Sequence, residues 1–399
     1  MIKINQSYTE DFLARYNNYV FTDKVIPLFR NNVLNAQGIT PAEKNRITAL
    51  FTNAFIHDLI FCNAEQLLQK IQTIYNCLPV LSERYCLEYY LKDINLTTTE
   101  ANTEAQSQVG KEEVKQISAR VAADLQALSD VRKSILFPTI IENLHAATTP
   151  TKIKKILKKI ISMKLGNYNL NHAEKAQFPL WVSGFDNVFN YSVMSKMFGY
   201  EITTSFGFNI CPYCNYEDIE TILGNGVASR PDLDHFYPKS KFPFLAVTLS
   251  NLIPAGKRCN QDYKKTNSMF DYVHPRINGI NQHRLFNFHC MFDDGINSDN
   301  LEIKLINQNN VLDKNLELFN VGEMHNKQDV IDWFVEFYDC YQFTLNGYSN
   351  NIEHILDDNN LIKNYLHVDV SKPPSKGSYQ KLKIDALNFL SGRNYQMAD

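Results

Sequence analysis

The chain has 399 residues, 44% of them apolar and 12% aromatic, a globular composition that excludes global disorder. Its formal net charge is −3, so any nucleic-acid contact must come from a local basic patch and not from the field of the whole molecule. Eight cysteines in a chain this long exclude a disulfide framework, and most sit among apolar neighbours as small buried hydrophobes. The first ten residues lack the apolar core of a signal peptide, and no apolar run is long enough to span a bilayer. The expectation is a soluble, cytoplasmic protein with no membrane partner.

In chain order, residues 1–96 read as helical. Apolar residues recur at three- and four-residue spacing over 51–60 and 64–75. Thr40-Pro41-Ala42-Glu43 has the form of a helix start, with proline at the first helical position and an acid in the first turn. Residues 97–112 turn polar and small, as a solvated connection or the polar start of a helix. A helical pattern resumes over 114–145. In 152–164, Ile153, Ile156, Leu157, Ile160 and Ile161 form one stripe, opposite Lys152, Lys155, Lys158 and Lys159. The ordinary reading is a surface helix with a solvated lysine face; the sharper one is a phosphate-binding face.

Aromatics crowd 175–208 and read as a packing platform (Phe178, Trp181, Phe185, Phe189, Tyr191). Residues 209–276 hold the motifs. Beyond them, 301–306 alternates like a strand with one buried face, 329–343 has helical spacing, 371–379 is a loop, and 382–390 is a final helix. The fold expected is α+β, mainly α-helical. Three regions follow: a helical N-terminal region, 1–174, for partner docking or substrate placement; a motif-bearing domain, 175–290, with its core at 205–276; and an α+β C-terminal region, 291–399.

Asp234-His235 lies in a short strand that Pro238 stops. A carboxylate can hold a hard divalent cation, and a neutral imidazole can take a proton from water. Asn251 could use its amide to bridge loop backbone and hold the histidine ring. Asn260 and Lys264 share a face if a helix begins near Asn260: an amide oxygen can ligate Mg²⁺, and a lysine one turn on can contact phosphate. Lys257, Arg258 and Lys265 add local positive charge. Cations are disfavoured at a helix N-terminus, and an anionic ligand would account for them.

Cys211-Pro-Tyr-Cys214 is either a redox pair or half of a zinc site, and the lack of a surrounding βαβ unit favours zinc. Cys259 is the third thiol with a ligand context. A second CxxC would need a cysteine at position 256, where the chain has glycine.

The order CxxC, Asp-His, Asn-Leu-Ile-Pro, Cys-Asn, Lys resembles the HNH nuclease family, whose core is a ββα-metal fold. The resemblance covers 205–276, less than a quarter of the chain. It is strongest to bacterial HNH proteins with a CPYC knuckle followed by DHFYPKS, such as the nuclease subunits of Septu-type phage-defence systems. It implies an HNH core set between the helical region and the C-terminal one. It implies His235 as general base, Asp234 and Asn260 as ligands of a catalytic Mg²⁺ or Mn²⁺, and Asn251 as the middle asparagine. Lys264 stands where the family carries a phosphate-contacting lysine, with Lys257, Arg258 and Lys265 beside it. His274 stands where relatives have His-Pro and reads as structural.

Many relatives carry a fourth zinc cysteine at the position of Gly256. Three explanations stay open: a ligand from elsewhere (His274, His289 or Cys290), a water, or loss of the Zn²⁺. The activity implied is hydrolysis of DNA, with RNA as a second substrate class, in antiviral defence. Such systems pair the nuclease with an ATPase of the SMC/ABC type, and this chain shows no Walker A motif. The rival expectation is a zinc-knuckle module that binds nucleic acid or a partner without turnover.

Overall fold

A computed structural model of the protein describes residues 1–224, 228–279, 284–290, 296–308, 311–348 and 351–397. Residue 291, the expected start of the C-terminal region, lies outside them. The architecture is mainly helical, with two small two-stranded sheets among the described residues. No helix of the described residues is long and apolar enough to cross a membrane.

Local capping chemistry sets the helix starts. Thr40 and Glu43 exchange side-chain and backbone hydrogen bonds ahead of Pro41–Leu50, and Asn63 and Gln66 do the same ahead of Ala64–Cys77. The stretch expected as one helix over 51–60 begins later: Phe51 ends the preceding helix, and Thr52 caps Asn53–Phe61. The polar segment 97–112 holds a short helix, Thr98–Asn102, and the first turns of Gln108–Arg132.

The single helical run expected over 114–145 is two helices, Gln108–Arg132 and Phe137–Ala146. The chain breaks at Lys133, in the left-handed region at φ 54°. The buried carboxylate of Glu83 makes the break affordable by accepting the backbone N–H groups of Ile135 and Leu136, at 3.0 and 2.8 Å. Helix Pro150–Lys164 buries Ile153, Leu157, Ile160 and Ile161. Its Lys152, Lys155 and Lys158 face solvent, while Lys159 pairs with Glu174 at 2.8 Å.

Strand β1 (Asp232–His235) pairs antiparallel with β2 (Leu252–Ala255), with Asp234 opposite Ile253 and His235 opposite Leu252. The chain then enters a π-helical stretch, Arg258–Lys264. A second sheet pairs β3 (Phe286–His289) with β4 (Glu302–Leu305), the strand expected over 301–306. Helices Gln328–Gly347 and Gln380–Ser391 correspond to the two expected in the C-terminal region. The last one anchors β3, because Asp385 accepts the N–H groups of Leu285 and Phe286.

Buried side chains from all three regions join one hydrophobic cluster. The N-terminal helices grip the loop 236–250, which joins β1 to β2. Tyr16 donates its hydroxyl to the carbonyl of Val247 at 2.7 Å, Thr248 donates to the carbonyl of Leu59 at 2.9 Å, and Tyr75 donates to the carbonyl of Lys241. The helical region therefore forms part of the wall behind the motif.

Candidate active site and cysteine cluster

Side chains alternate along a strand, so Asp232 and Asp234 project to one face of β1 and His235 to the other. The acidic face meets the Arg258–Lys264 stretch. Asp232 accepts from Asn260 Nδ2 at 3.1 Å and from Gln261 Nε2 at 2.8 Å. Asp234 is buried; its Oδ1 accepts from Lys264 Nζ at 2.9 Å and its Oδ2 from the Tyr213 hydroxyl at 2.6 Å.

The other face meets the loop. His235 places Nε2 at 2.9 Å from the carbonyl of Ala246, and its ring stands edge-on to Tyr191 at 4.6 Å. A carbonyl can only accept, so Nε2 carries the proton and Nδ1 keeps its lone pair. Burial lowers the pKa of His235 to about 4, against a smaller upward pull from the Ala246 carbonyl and Asp234. The imidazole is therefore neutral at pH 7.

Asn251 is fully buried and ties the loop shut. Its Oδ1 accepts from the N–H of Tyr237 at 2.8 Å, and its Nδ2 donates to the carbonyls of Tyr237 at 3.0 Å and Leu245 at 3.2 Å. Leu245 precedes Ala246, whose carbonyl holds the histidine. The amide acts on the ring through the loop and does not touch it.

Asp232, Asp234, His235, Asn260, Lys264 and Lys265 line one cleft of about 360 Å³, together with Tyr191 and Lys239. The structure thus brings together His235, Asp234, Asn260, Lys264 and Lys265. It does not bring Lys257 there: that residue lines a separate depression with Glu217, Gly256 and Lys376. Arg258 does not line the cleft either, and its backbone N–H faces Glu217 at 3.4 Å.

The phosphate contact expected of Lys264 is not the position this residue occupies. Lys264 is buried, and its ammonium is spent on Asp234 and on the carbonyl of His235 at 2.7 Å. Burial of a carboxylate beside β1 demands a cation, and Lys264 is the one within reach. Lys239, missed by sequence reasoning, lines the cleft and lies over the Tyr191 ring at 4.5 Å. Asp232 was legible in the strand period, being two residues from Asp234. Tyr213 carried no such signal, because a tyrosine between two cysteines reads as filler until the knuckle is folded against β1.

Oxygen donors suited to a hard divalent cation are present in the cleft: the carboxylates of Asp232 and Asp234 and the amide oxygen of Asn260. Each Asp234 oxygen already has one partner, yet an ionised carboxylate offers about four acceptor sites.

Among the described residues, the one group of three metal-ligating side chains held within 4.8 Å of one another is Cys211, Cys214 and Cys259, all buried. The cluster could hold a metal such as zinc. Bridge pairing of Ile210 with Asp218 forms the knuckle, and its return arm points the N–H of Glu217 at Cys214 Sγ, 3.5 Å away. Burial pushes the Cys211 thiol well up. For Cys214 burial also acts upward, but hydrogen bonds from the Cys211 and Cys259 thiols and the Glu217 N–H prevail and hold it well below the usual thiol range. A thiolate among close thiols is the donor type that zinc selects.

None of the other ligands expected from sequence joins this group. His274 accepts from the N–H of Arg276 through Nδ1 at 3.1 Å and lies against the Phe236 ring at 4.3 Å. His289 is exposed on β3 beside Asn287, and Cys290 is half-buried next to it.

Comparison with family models, with curated proteins and with solved structures finds no match to this chain.

Proposed function

We propose that this protein is a metal-dependent endonuclease of the HNH type that hydrolyses phosphodiester bonds, with DNA as the first substrate to test. The observation that carries the reading is the fixed His235 tautomer. A buried neutral imidazole is held by the Ala246 carbonyl in a cleft that also holds Asp232, Asp234 and Asn260. An imidazole kept only for packing does not need two carboxylates, an amide and exposed lysines around it.

In the proposed reaction His235 takes a proton from the attacking water at Nδ1, and Nε2–H stays on the Ala246 carbonyl throughout. Asn251 keeps the loop, and so the ring, in register. Asp232, Asp234 and Asn260 would hold a divalent cation, Mg²⁺ or Mn²⁺. When bound, it supplies neutralisation of the charge that develops on the scissile phosphate. Lys239 and Lys265 line the cleft and can hold flanking phosphates. One histidine serves one strand, so the elementary product is a nick. Zn²⁺ at the cysteine cluster is structural in this scheme and fastens the knuckle that carries Tyr213 to the strand that carries Asp234.

The test is plasmid nicking with Mg²⁺ or Mn²⁺, with and without EDTA, comparing the wild-type chain with His235→Ala. Divalent-dependent nicking that falls by roughly 10²–10⁴-fold in the variant is expected for loss of a general base. Equal cutting by both proteins, or binding of DNA with no cutting under any metal, overturns the reading. The proposal extends to an effector role in phage defence with an ATPase of the SMC/ABC type acting in trans. Co-purification with the product of a neighbouring gene tests that extension.

A further inference from the structure

Gly256 stands where a second CxxC would place its first cysteine, and the space that a side chain would take there is already filled. A Cβ built on Gly256 falls 2.0 Å from Oε2 and 2.3 Å from Cδ of Glu217. Gly256 is not in the left-handed region, so its backbone tolerates any residue. The atoms a larger residue would meet are the far end of the Glu217 side chain, so a side chain at 256 and this carboxylate cannot both keep their present places. Residues 210 and 218 form a bridge pair, which sets 211 opposite 217 on the same arm-to-arm contact. Glu217 therefore rises from the knuckle beside Cys211, toward the turn that leads into Cys259.

The Glu217 carboxylate is poorly served by its surroundings. Oε1 accepts a long bond from the Arg258 N–H at 3.4 Å, and Oε2 is buried with no hydrogen-bond partner. Desolvation raises its pKa, and the nearby Cys214 raises it further. The charge of Arg258 acts on this carboxylate, but Oε2 itself has no hydrogen-bond partner and is the atom left to meet a further cation. Zinc sites of this kind hold four ligands, and glutamate oxygen is an accepted donor.

We propose that Glu217 supplies the fourth ligand of a zinc ion held by Cys211, Cys214 and Cys259, in the place where a second CxxC would put a cysteine at position 256. The inference rests on the metal reading of the cluster. Gly256 and Glu217 then form a matched pair: the glycine makes room, and the acid fills both the room and the coordination sphere. Glu217 stands outside the three ligand atoms held within 4.8 Å of one another, so its side chain must swing toward the thiols when a metal binds, and Oε2, tied to no hydrogen-bond partner, is the atom that moves. His325 is the competing donor. It is buried, its Nδ1 bonds to the carbonyl of Val321 at 2.9 Å, its Nε2 has no partner, and Cys214 is among the charges it feels. It does not occupy the space at Gly256, and it leaves Glu217 Oε2 orphaned.

The experiment is metal binding by the full chain, read as Zn²⁺ affinity in chelator competition and as the absorption spectrum of the Co²⁺-substituted protein. The wild-type chain is expected to bind one ion with the charge-transfer intensity of three thiolates. Glu217→Ala is expected to lower Zn²⁺ affinity by at least about tenfold, since even partners outside the coordination sphere are worth that much. The pair Glu217→Ala with Gly256→Cys is expected to restore affinity and to raise the intensity to that of four thiolates.

Glu217→Ala with wild-type affinity and spectrum overturns the proposal while leaving the three-thiolate site standing. Loss of binding in His325→Gln, with none in Glu217→Ala, assigns the position to His325 and overturns it as well. A wild-type chain that binds neither metal removes both the site and its fourth ligand, whatever the nicking assay reports. Circular dichroism of each variant separates a lost ligand from a lost fold, because metals also bind the cysteines of unfolded chains, so the test survives an unstable single variant.

Discussion

Lys264 and Asp234 form an ion pair at 2.9 Å, with both side chains buried, at the point where the Arg258–Lys264 stretch meets strand β1. Two residues that each read as ligands of something external are, in the folded chain, ligands of one another. Tyr213 from the cysteine knuckle completes the set through Asp234 Oδ2. The pair joins three parts of the motif.

That arrangement fixes the first expected outcome. Lys264→Met keeps the stem and removes the charge, leaving Asp234 buried with only a tyrosine hydroxyl. Breaking a buried pair in this way costs about 3–5 kcal/mol. Urea unfolding should show that loss. Lys264→Met with Asp234→Asn should recover much of it, because no bare charge remains. A loss below about 1 kcal/mol, the range of an exposed pair, would contradict the burial of the two groups.

Asn251→Ala removes three hydrogen bonds and strands the N–H and carbonyl of Tyr237 in the interior, while the Leu245 carbonyl keeps the Thr248 N–H at 3.2 Å. A stability loss of about 1–3 kcal/mol per unsatisfied group sets the scale. Nicking should fall by roughly 10²-fold or more, because the loop that carries Ala246 no longer holds the His235 ring in place. Asn251→Asp should not rescue it. A carboxylate can accept from Tyr237 but cannot donate to the Tyr237 and Leu245 carbonyls.

The pH dependence follows from His235. Its folded pKa, about 4, lies below the unfolded value of about 6.5. The unfolded chain therefore binds a proton that the folded chain refuses. Stability from this group is complete above about pH 6.5 and is lost as pH falls toward about 4, with a slope of at most about 1.4 kcal/mol per pH unit. His235→Gln should reduce the acid slope of unfolding free energy by about one proton in that window. An unchanged slope would mean that His235 is solvated.

A chain that begins at residue 175 should fail to fold as a cooperative unit. It lacks Tyr16 and Tyr75, which hold the carbonyls of Val247 and Lys241, and Leu59, whose carbonyl accepts the Thr248 hydroxyl. Rapid proteolysis between residues 236 and 250, with loss of near-ultraviolet circular dichroism, is the expected result. A stable, nicking-competent fragment would show that the helical region is dispensable.

A shorter-range check concerns Tyr16→Phe, which deletes only the hydroxyl that bonds to Val247 at 2.7 Å. A cost of about 1 kcal/mol is expected, as for a single buried hydrogen bond.

The sequence by itself determined what local chemistry controls. Capping pairs such as Thr40 with Glu43 and Asn63 with Gln66 set helix starts, because their bonds span three residues. Flanking residues and a nearby proline placed β1, and the spacing of Cys211, Cys214 and Cys259 marked a cluster that the fold does assemble. Residues 114–145 read as one helix because the interruption at Lys133 is stabilised by Glu83, some fifty positions away, and periodicity carries no record of a distant acid. Only the tertiary structure decided which charges stay free. Lys264 and Lys265 are neighbours in the chain, yet one is buried against Asp234 and the other is exposed in the cleft. Burial decides this, since a desolvated charge must find its partner inside the protein, and the partner is chosen by packing. The same holds for Gly256: its missing side chain was visible in the sequence, but the carboxylate of Glu217 in its place was not.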